Sequence, residues 1–475
     1  MDKLNSLISH LYDFEIKKVI ENIRAHSSIV SLTSDFMDSI SSSVAADLSV
    51  LWMQCIKLEN QYIKRTKGEE YDGGIYTLLL EDDKYRRLFL SKYRNISKLS
   101  SAIIINIESF MSDLIDYILE DLSELRSNFG IENLKIGGFN FLGDSHFGGR
   151  KTLRIMVDNK NLIFKPRSTL PEEFFNCIAK LTELDTYKVL TKANHGWCQY
   201  LDHDAVDINE SVHYYLGAMQ ALTHFTSTKD THKENIIIHN SKPYLIDAEC
   251  TINCSLDIIN RRFYNSNNIY DYGIIPFYWK EIHYSNRNVS YLGNLYSGLD
   301  FNIEDVNLWR QEFIDGYSGT YNLLINNFTY IESIINHYCQ DMSSRIVLRN
   351  TSFYSTLLRL IHNPVYMFKN RNSVVLEVKE RLSRKGLPQE LISYETSSLL
   401  NGDIPYFYSP ICQNKIIAYS RQDILLPFKN NLLDTFMAGY NKDHYISQMK
   451  KQKEILGVYF DVECIKRKGF QNEKQ

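Results

Sequence analysis

Proline is absent from residues 1–128, and glycine occurs there only as Gly68, Gly73 and Gly74. A stretch this long without backbone breakers has little to stop it forming helix. Its apolar residues recur at spacings of three and four, as in Leu48, Leu51, Cys55 and Leu58, and again in Ile107, Met111, Ile115 and Ile118. Such spacing turns one stripe of each helix toward a core. The three glycines fall together in the polar segment KGEEYDGGIY, which predicts a turn between helices.

The texture changes near Gly130. Gly137, Gly138, Gly143, Gly148 and Gly149 cluster in IGGFNFLGDSHFGGRK. LRIMV, a polar DNKN connection and LIFKPR then predict a β-hairpin. Pro171 to Leu184 predicts a helix with Glu172 and Glu173 in its first turn. A longer helix is expected from about Asn209 to Thr226, capped by Asn209 or Ser211, with Val212, Tyr215, Leu216, Met219, Leu222 and Thr223 on one face. After it come the polar segment KDTHKEN, a strand IIIH, a turn at Asn240-Ser241 and a strand PYLIDAE. Further helices are expected near 306–327, 329–340 and 351–362, and the end is polar and basic.

At 475 residues the chain is too long for one small core, so two or three packed units are expected. With 44% hydrophobic and 23% charged residues it is neither disordered nor fibrous. A net charge of -4 gives no global pull toward nucleic acid or an anionic membrane. The amphipathic N-terminus lacks the apolar core of a secretory signal, and runs such as Ala102–Ile105 fall far short of a membrane span. A cytoplasmic protein is expected, with no nucleic-acid partner. The eight cysteines are scattered. Cys250 and Cys254 are the one close pair, with no second pair to complete a zinc site, so reduced and mostly buried thiols are expected.

Four pieces carry chemistry by their order. A Gly-rich segment comes first, then Lys165 on the second strand of the hairpin. Next is Asp230-Thr-His232-Lys-Glu-Asn235, immediately after a long helix, and then Asp247, twelve residues beyond Asn235. Phosphoryl transfer needs flexible backbone near the phosphates, a lysine on phosphate oxygens, an aspartate at the nucleophile, and an Asn and a second Asp on Mg2+. Asp-x4-Asn followed by strand, turn, strand and Asp has the spacing of a kinase catalytic loop and its metal-binding aspartate. Glu249 follows Asp247 by two and would share its side of an extended chain. His232 has two readings of equal weight, a hydrogen-bonded scaffold of the loop or a direct role near the phosphates. Taken singly, each piece has a plainer explanation: a turn, an exposed lysine, a capping aspartate.

At this point the sequence resembles the dehydratase domain of class II lanthipeptide synthetases, the LanM type. The stretches that carry the resemblance are GDSHFGGRK, LIFKPRS, GWCQY, YYLGAMQALTHFTSTKDTHKENIII, PYLIDAE, FIDGYSGTYN, RIVLRNTSFYSTLLR and LLNGDIPYF, in family order over about residues 140–410. The resemblance implies an α+β fold with a lipid-kinase-like core of two lobes. Residues 1–130 would form a helical N-terminal region, 131–205 a β-rich small lobe, 206–442 a mainly helical large lobe and 443–475 a polar helix or tail. It implies that Ser and Thr of a ribosomal precursor peptide bearing a leader are phosphorylated from ATP, giving ADP. Phosphate is then eliminated to leave dehydroalanine or dehydrobutyrine.

Carried onto this chain, the phosphorylation set is Asp144, His146, Lys165, Asp230, His232, Asn235 and Asp247, with Asn235, Asp247 and Glu249 at Mg2+. The elimination set is Arg345 and Thr351, with Arg349 nearby. A guanidinium offers a fixed fork of donors to phosphate oxygens. Arg345 and Arg349, four residues apart, would share a face if they lay on a helix. Without the family, they read as surface ion-pair arginines and Thr351 as a helix cap.

Full-length LanM enzymes continue into a zinc cyclase. This chain stops soon after GDIPYF and lacks Cys and Cys-His zinc ligands, so the expectation is no zinc and no ring closure by this chain: either a separate cyclase acts afterward or the product is an uncyclised peptide. Two other readings stay open: a kinase without elimination, and a non-catalytic pseudokinase partner of a biosynthetic complex.

Overall fold

Helices Asp2–Leu11, Asp13–His26, Ser34–Lys67, Gly74–Glu81, Asp83–Lys92, Arg94–Glu120 and Leu122–Phe129 fill the proline-free stretch, as its periodicity demands. A computed structural model describes residues 2–27, 30–67, 74–204, 209–253, 273–275, 291–292, 309–367, 371–383, 387–418 and 431–459. The turn expected in KGEEYDGGIY lies mostly outside the described residues, as do Cys254, Cys464 and the chain beyond 459.

The strands are β1 (Ser31–Leu32), β2 (Lys135–His146), β3 (Arg150–Val157), β4 (Lys160–Lys165), β5 (Val189–Thr191) and β6 (Gly196–Gln199), joined in one sheet in the order β1-β2-β3-β4-β6-β5. β1 runs parallel to β2, and the other pairs are antiparallel. The β3–β4 hairpin turns on Asp158 and Asn159, both left-handed at φ 50° and 60°. That is the turn whose twist matches flanking strands. β2 passes straight through the Gly-rich segment, with register shifts on either side of Phe139–Leu142. The plainer expectation of turns there does not hold before Phe147, because glycines weaken a strand pattern without abolishing the ladder.

The helix Glu210–Phe225 is capped by Asn209, whose side chain accepts from Val212 N at 3.0 Å. It packs against the helix Arg310–Asn326 with almost no space between backbones. A Cβ on Gly217 would stand 2.0 Å from Phe313 O, and one on Gly316 would stand 1.9 Å from Tyr214 O. Only glycine at both positions permits that approach. The hairpin β7 (Ile236–His239) and β8 (Lys242–Leu245) follows the first of these helices, turning on left-handed Asn240 and Ser241. A third sheet joins β9 (Ser343–Arg345), β10 (Phe407–Pro410) and β11 (Ile417–Ala418) in the order β11-β10-β9.

The fold is therefore mixed α+β. Most buried apolar side chains gather in two large clusters that do not follow chain order. One joins the first seven helices and the six-stranded sheet, and it also takes Tyr354, Leu357, Ile361, Ile392 and Leu399 from the helices Thr351–Ile361 and Gln389–Leu400. The other surrounds Glu210–Phe225 and Arg310–Asn326. Among the described residues no helix is long and apolar enough to cross a membrane.

Candidate active site

A cavity of about 1080 Å³ is lined by β2–β4, the 230–235 loop, the end of the β7–β8 hairpin, Arg345 and the start of the helix Thr351–Ile361. Of the eleven residues singled out from the sequence, ten reach its wall: Asp144, His146, Lys165, Asp230, His232, Asn235, Asp247, Glu249, Arg345 and Thr351. Arg349 does not.

Lys165 ends β4 and is buried. Its Nζ donates to Glu172 Oε1 and to Ile246 O, both at 2.7 Å, and lies 3.6 Å from Asp247 Oδ1. Burial alone would lower its pKa, yet Asp247 and Glu172 raise it, so the amine stays charged. Glu172 sits in the first turn of the helix Leu170–Ala179. Burial opposes its charge, but Arg167 and Lys165 hold its carboxyl below the ordinary range. Arg167 also meets Asp247 Oδ1 at 2.5 Å and Glu249 Oε2 at 3.0 Å. One largely buried lattice of two cations and three carboxylates thus joins two separate parts of the sequence, residues 165–172 and 247–249.

The 230–235 loop is held in an unusual backbone state. Asp230 has φ 63°, a left-handed value that a non-glycine residue adopts at some cost. Asn235 Nδ2 donates to Asp230 O at 2.7 Å, which pins the loop and leaves Oδ1 as an acceptor. His232 Nδ1 accepts from Glu234 N at 3.2 Å, so Nε2 carries the proton and faces Asp230 Oδ1 at 3.4 Å. Burial raises the Asp230 pKa, and His232 and Arg345 oppose that rise.

Glu249 is bound by Arg345, by Arg167 and by the Tyr406 hydroxyl, which donates to Oε2 at 2.9 Å. Burial pushes its pKa up, but the two guanidiniums pull it down to about 2. Arg345 also lies over the Tyr406 ring at 4.9 Å. Its place is the end of β9, not a helix, so the expected helical face shared with Arg349 does not exist. Arg349 turns into the core. It donates through Nε to Glu395 Oε1 at 2.7 Å and through Nη2 to Leu382 O at 2.7 Å. Thr351 opens the helix Thr351–Ile361 behind Asn350, with no side-chain cap bond.

The Gly-rich loop departs from expectation in one respect. The amides of Gly148 and Gly149 donate to the Asp403 carboxylate, at 2.8 and 3.1 Å. The backbone there is satisfied by a carboxylate from the end of a distant helix. His146 Nδ1 donates to Ile404 O at 2.8 Å, leaving Nε2 as the free acceptor, and burial followed by Arg345 lowers its pKa.

For a divalent cation the donors to test are Asn235, Asp247 and Glu249. Asn235 Oδ1 and the Asp247 carboxylate are hard oxygens on neighbouring backbone, joined by Ile246 N donating to Asn235 O at 2.9 Å. They fit Mg2+. The Glu249 carboxylate is taken up by two arginines and a tyrosine. Among the described residues no three His, Cys, Asp or Glu side chains could share one ion.

Sequence reasoning overlooked Glu172, Arg167, Asp403 and Tyr406 as site residues. In the sequence Glu172 reads only as a first-turn acid. Arg167 and the other two lie within the quoted LIFKPRS and LLNGDIPYF, which was the available signal.

Two segments, residues 93–302 and 297–410, match the family model described as Domain of unknown function (DUF4135). Together they cover more than half of the 475 residues, and the chain belongs to that family, which is found in the dehydratase regions of LanM synthetases. A curated relative is the Lacticin 481/lactococcin biosynthesis protein LcnDR2 of Lactococcus lactis subsp. lactis, 22% identical over 430 residues. The match covers 74% of this chain and 45% of the relative, so the chain spans less than half of that protein's length.

Proposed function

We propose that this chain acts in lanthipeptide maturation as a two-step dehydratase. It phosphorylates Ser and Thr of a ribosomal precursor peptide from ATP and then eliminates the phosphate. The observation that carries the reading is the convergence on one cavity of Lys165 with its Glu172 partner, Asp230, Asn235 and Asp247, together with Arg345 and Thr351. A lysine–glutamate pair beside a metal-binding aspartate is what kinase catalysis requires. The lipid-kinase-like arrangement of two lobes belongs to the same proposal.

In phosphorylation, Lys165 donates to phosphate oxygens and Asp230 accepts the hydroxyl proton of the substrate. His232 orients Asp230. Asp144 and His146, which line the same cavity, contact the phosphates as well. Mg2+ held by Asn235 and Asp247 would neutralise phosphate charge when bound. The apolar patch of Ile163, Cys198, Leu201, Ile237 and Ile246 suits the adenine ring.

In elimination, a base on the cavity wall, Asp230 or His146 Nε2, takes the Cα proton while the Cβ–O bonding pair leaves with the phosphate, which gains charge. Arg345 supplies donors to it, as does the Thr351 hydroxyl at the start of its helix. For that, Arg345 must exchange part of its bond to Glu249 for phosphate.

Intact-mass spectrometry of a candidate precursor peptide after incubation with the chain, ATP and Mg2+ tests this. Loss of one water mass per modified residue is expected. A gain of phosphate without later loss would remove the elimination step and leave a kinase. An unchanged peptide with no binding of ATP would leave the pseudokinase reading.

A further inference from the structure

The helix Gln389–Leu400 ends in a geometry that aims one carboxylate at the Gly-rich loop. Asn401 is its C-cap, and Gly402 follows in the left-handed region at φ 87°. Gly402 N donates to Leu399 O at 3.1 Å and Asp403 N to Ser398 O at 3.0 Å, the paired bonds of a Schellman ending. Asn-Gly-Asp after a helix is thus a sharp stop with a directed side chain.

Asp403 is 6% exposed, and every acceptor bond the structure gives its carboxylate goes to the loop 145–149. Oδ1 accepts from Ser145 Oγ at 2.6 Å and Gly149 N at 3.1 Å, and Oδ2 accepts from Gly148 N at 2.8 Å. The backbone reinforces the clasp, since Ile404 N donates to Ser145 O at 2.9 Å and His146 Nδ1 to Ile404 O at 2.8 Å. Phe147, Gly148 and Gly149 all have positive φ, at 54°, 77° and 90°. Successive amides in such conformations form a concavity that binds an anion. Here the anion is a side chain more than 250 residues away in sequence.

We propose that Asp403 is the positioning residue of the Gly-rich loop, holding it closed so that Asp144 and His146 face the phosphates of a bound nucleotide. The nucleotide half of this rests on the kinase-type reading above, whereas the loop clasp does not. Without the carboxylate three donors lose their acceptor, and the bonds of Ile404 to Ser145 and His146 leave the amides of Gly148 and Gly149 without a fixed partner. Asp403 therefore acts on the phosphates only through Asp144 and His146.

The test uses the full chain and two readouts. Hydrogen exchange is followed without nucleotide in peptides covering 145–149, for the wild type, Asp403→Asn and Asp403→Ala. Bonds to a charged acceptor lost in this way predict exchange about 10- to 100-fold faster in Asp403→Ala. Asp403→Asn keeps Oδ1 for Ser145 and Gly149 but opposes its amide to Gly148 N–H, so an intermediate rate is expected. Ser145→Ala, which removes one bond, serves if Asp403→Ala does not fold. The second readout is ATP–Mg2+ kinetics, where KM for ATP should rise about 10-fold or more with KM for peptide unchanged, a split that general destabilisation would not give.

Unchanged exchange in Asp403→Ala overturns the clasp. Faster exchange with unchanged KM for ATP overturns its role toward the nucleotide. Faster exchange in the wild type on adding ATP would mean that the ligand opens the loop, and this also overturns the proposal. A wild type that binds no ATP defeats the kinase-type reading instead, and exchange alone then decides the clasp.

Discussion

Arg345 and Arg349 stand four residues apart in RIVLRNT, and each meets a glutamate, yet their surroundings divide them. Arg349 and Glu395 are both 0% exposed, deep in the core, with Tyr354 OH donating to the same carboxylate at 2.6 Å. Arg345 and Glu249 are 16% and 10% exposed and line the cavity, where Arg167 and Tyr406 share the glutamate. A charge pair closed off from solvent can only be kept or broken. A pair on a cavity wall, with its glutamate partnered twice more, can release its arginine to an incoming anion. Residue type and spacing are the same in the two cases, so the difference lies in what closes over each pair.

The largest effect is expected where the field of Arg345 reaches and that of Arg349 does not. Asp230→Asn removes the proposed proton acceptor and should cut phosphorylation by about 10²- to 10⁴-fold, leaving unmodified peptide by mass spectrometry while the unfolding midpoint barely moves. Phosphorylation at the wild-type rate would remove Asp230 from the mechanism.

Next comes Arg349→Ala, which leaves Glu395 buried without its cation. A loss of about 3–5 kcal/mol in denaturant unfolding is expected, with no specific accumulation of phosphopeptide in whatever protein remains folded. If Arg349→Ala and Arg345→Ala lost equal stability, the contrast between core and cavity would collapse.

Arg345→Ala should cost less, on the order of 1–2 kcal/mol, because Glu249 retains Arg167 and Tyr406. Its signature is chemical: phosphopeptide builds up while dehydrated product falls, and Thr351→Ala should behave alike. The same variant sharpens the pH profile. Burial raises the Asp230 pKa and Arg345 opposes it, so removing Arg345 should move the acid limb of phosphorylation to higher pH. No such movement is expected for an Arg349 variant.

The smallest effect concerns acid stability. Glu249 has its folded pKa depressed to about 2 from an ordinary 4.5. Its contribution is therefore present above that ordinary value and lost as pH falls toward 2. Arg345→Ala weakens the depression, so acid unfolding should begin at higher pH by about half a pH unit, followed by circular dichroism.

That Lys165, Asp230, Asn235 and Asp247 come together is legible in the sequence because their backbone context is local. Asp230 to Asn235 is one loop between a helix and a hairpin, and the turn at Asn240-Ser241 brings Asp247 back beside it. Lys165 follows from the β3–β4 hairpin in the same way. Arg349 was misplaced beside Arg345 because an i, i+4 spacing says something about direction only on a helix, and residues 346–350 are not helical. Glu172 was missed because an acid in a first helical turn is explained already by the helix dipole, which hides its second partner Lys165.

The sequence by itself determined the helical N-terminal region, the two hairpins with their polar turns and a capped helix over about residues 209–226. These follow from periodicity, turn chemistry and capping, which act within a few residues. Tertiary structure alone decided that the helix holding Thr351 packs with the first core, that Asp403 clasps the Gly-rich loop, and that Arg345 faces the cavity while Arg349 does not. Each of those outcomes depends on which charged or apolar groups meet across tens to hundreds of residues. That meeting is set by burial and by the need to satisfy every buried charge, and no local pattern encodes it.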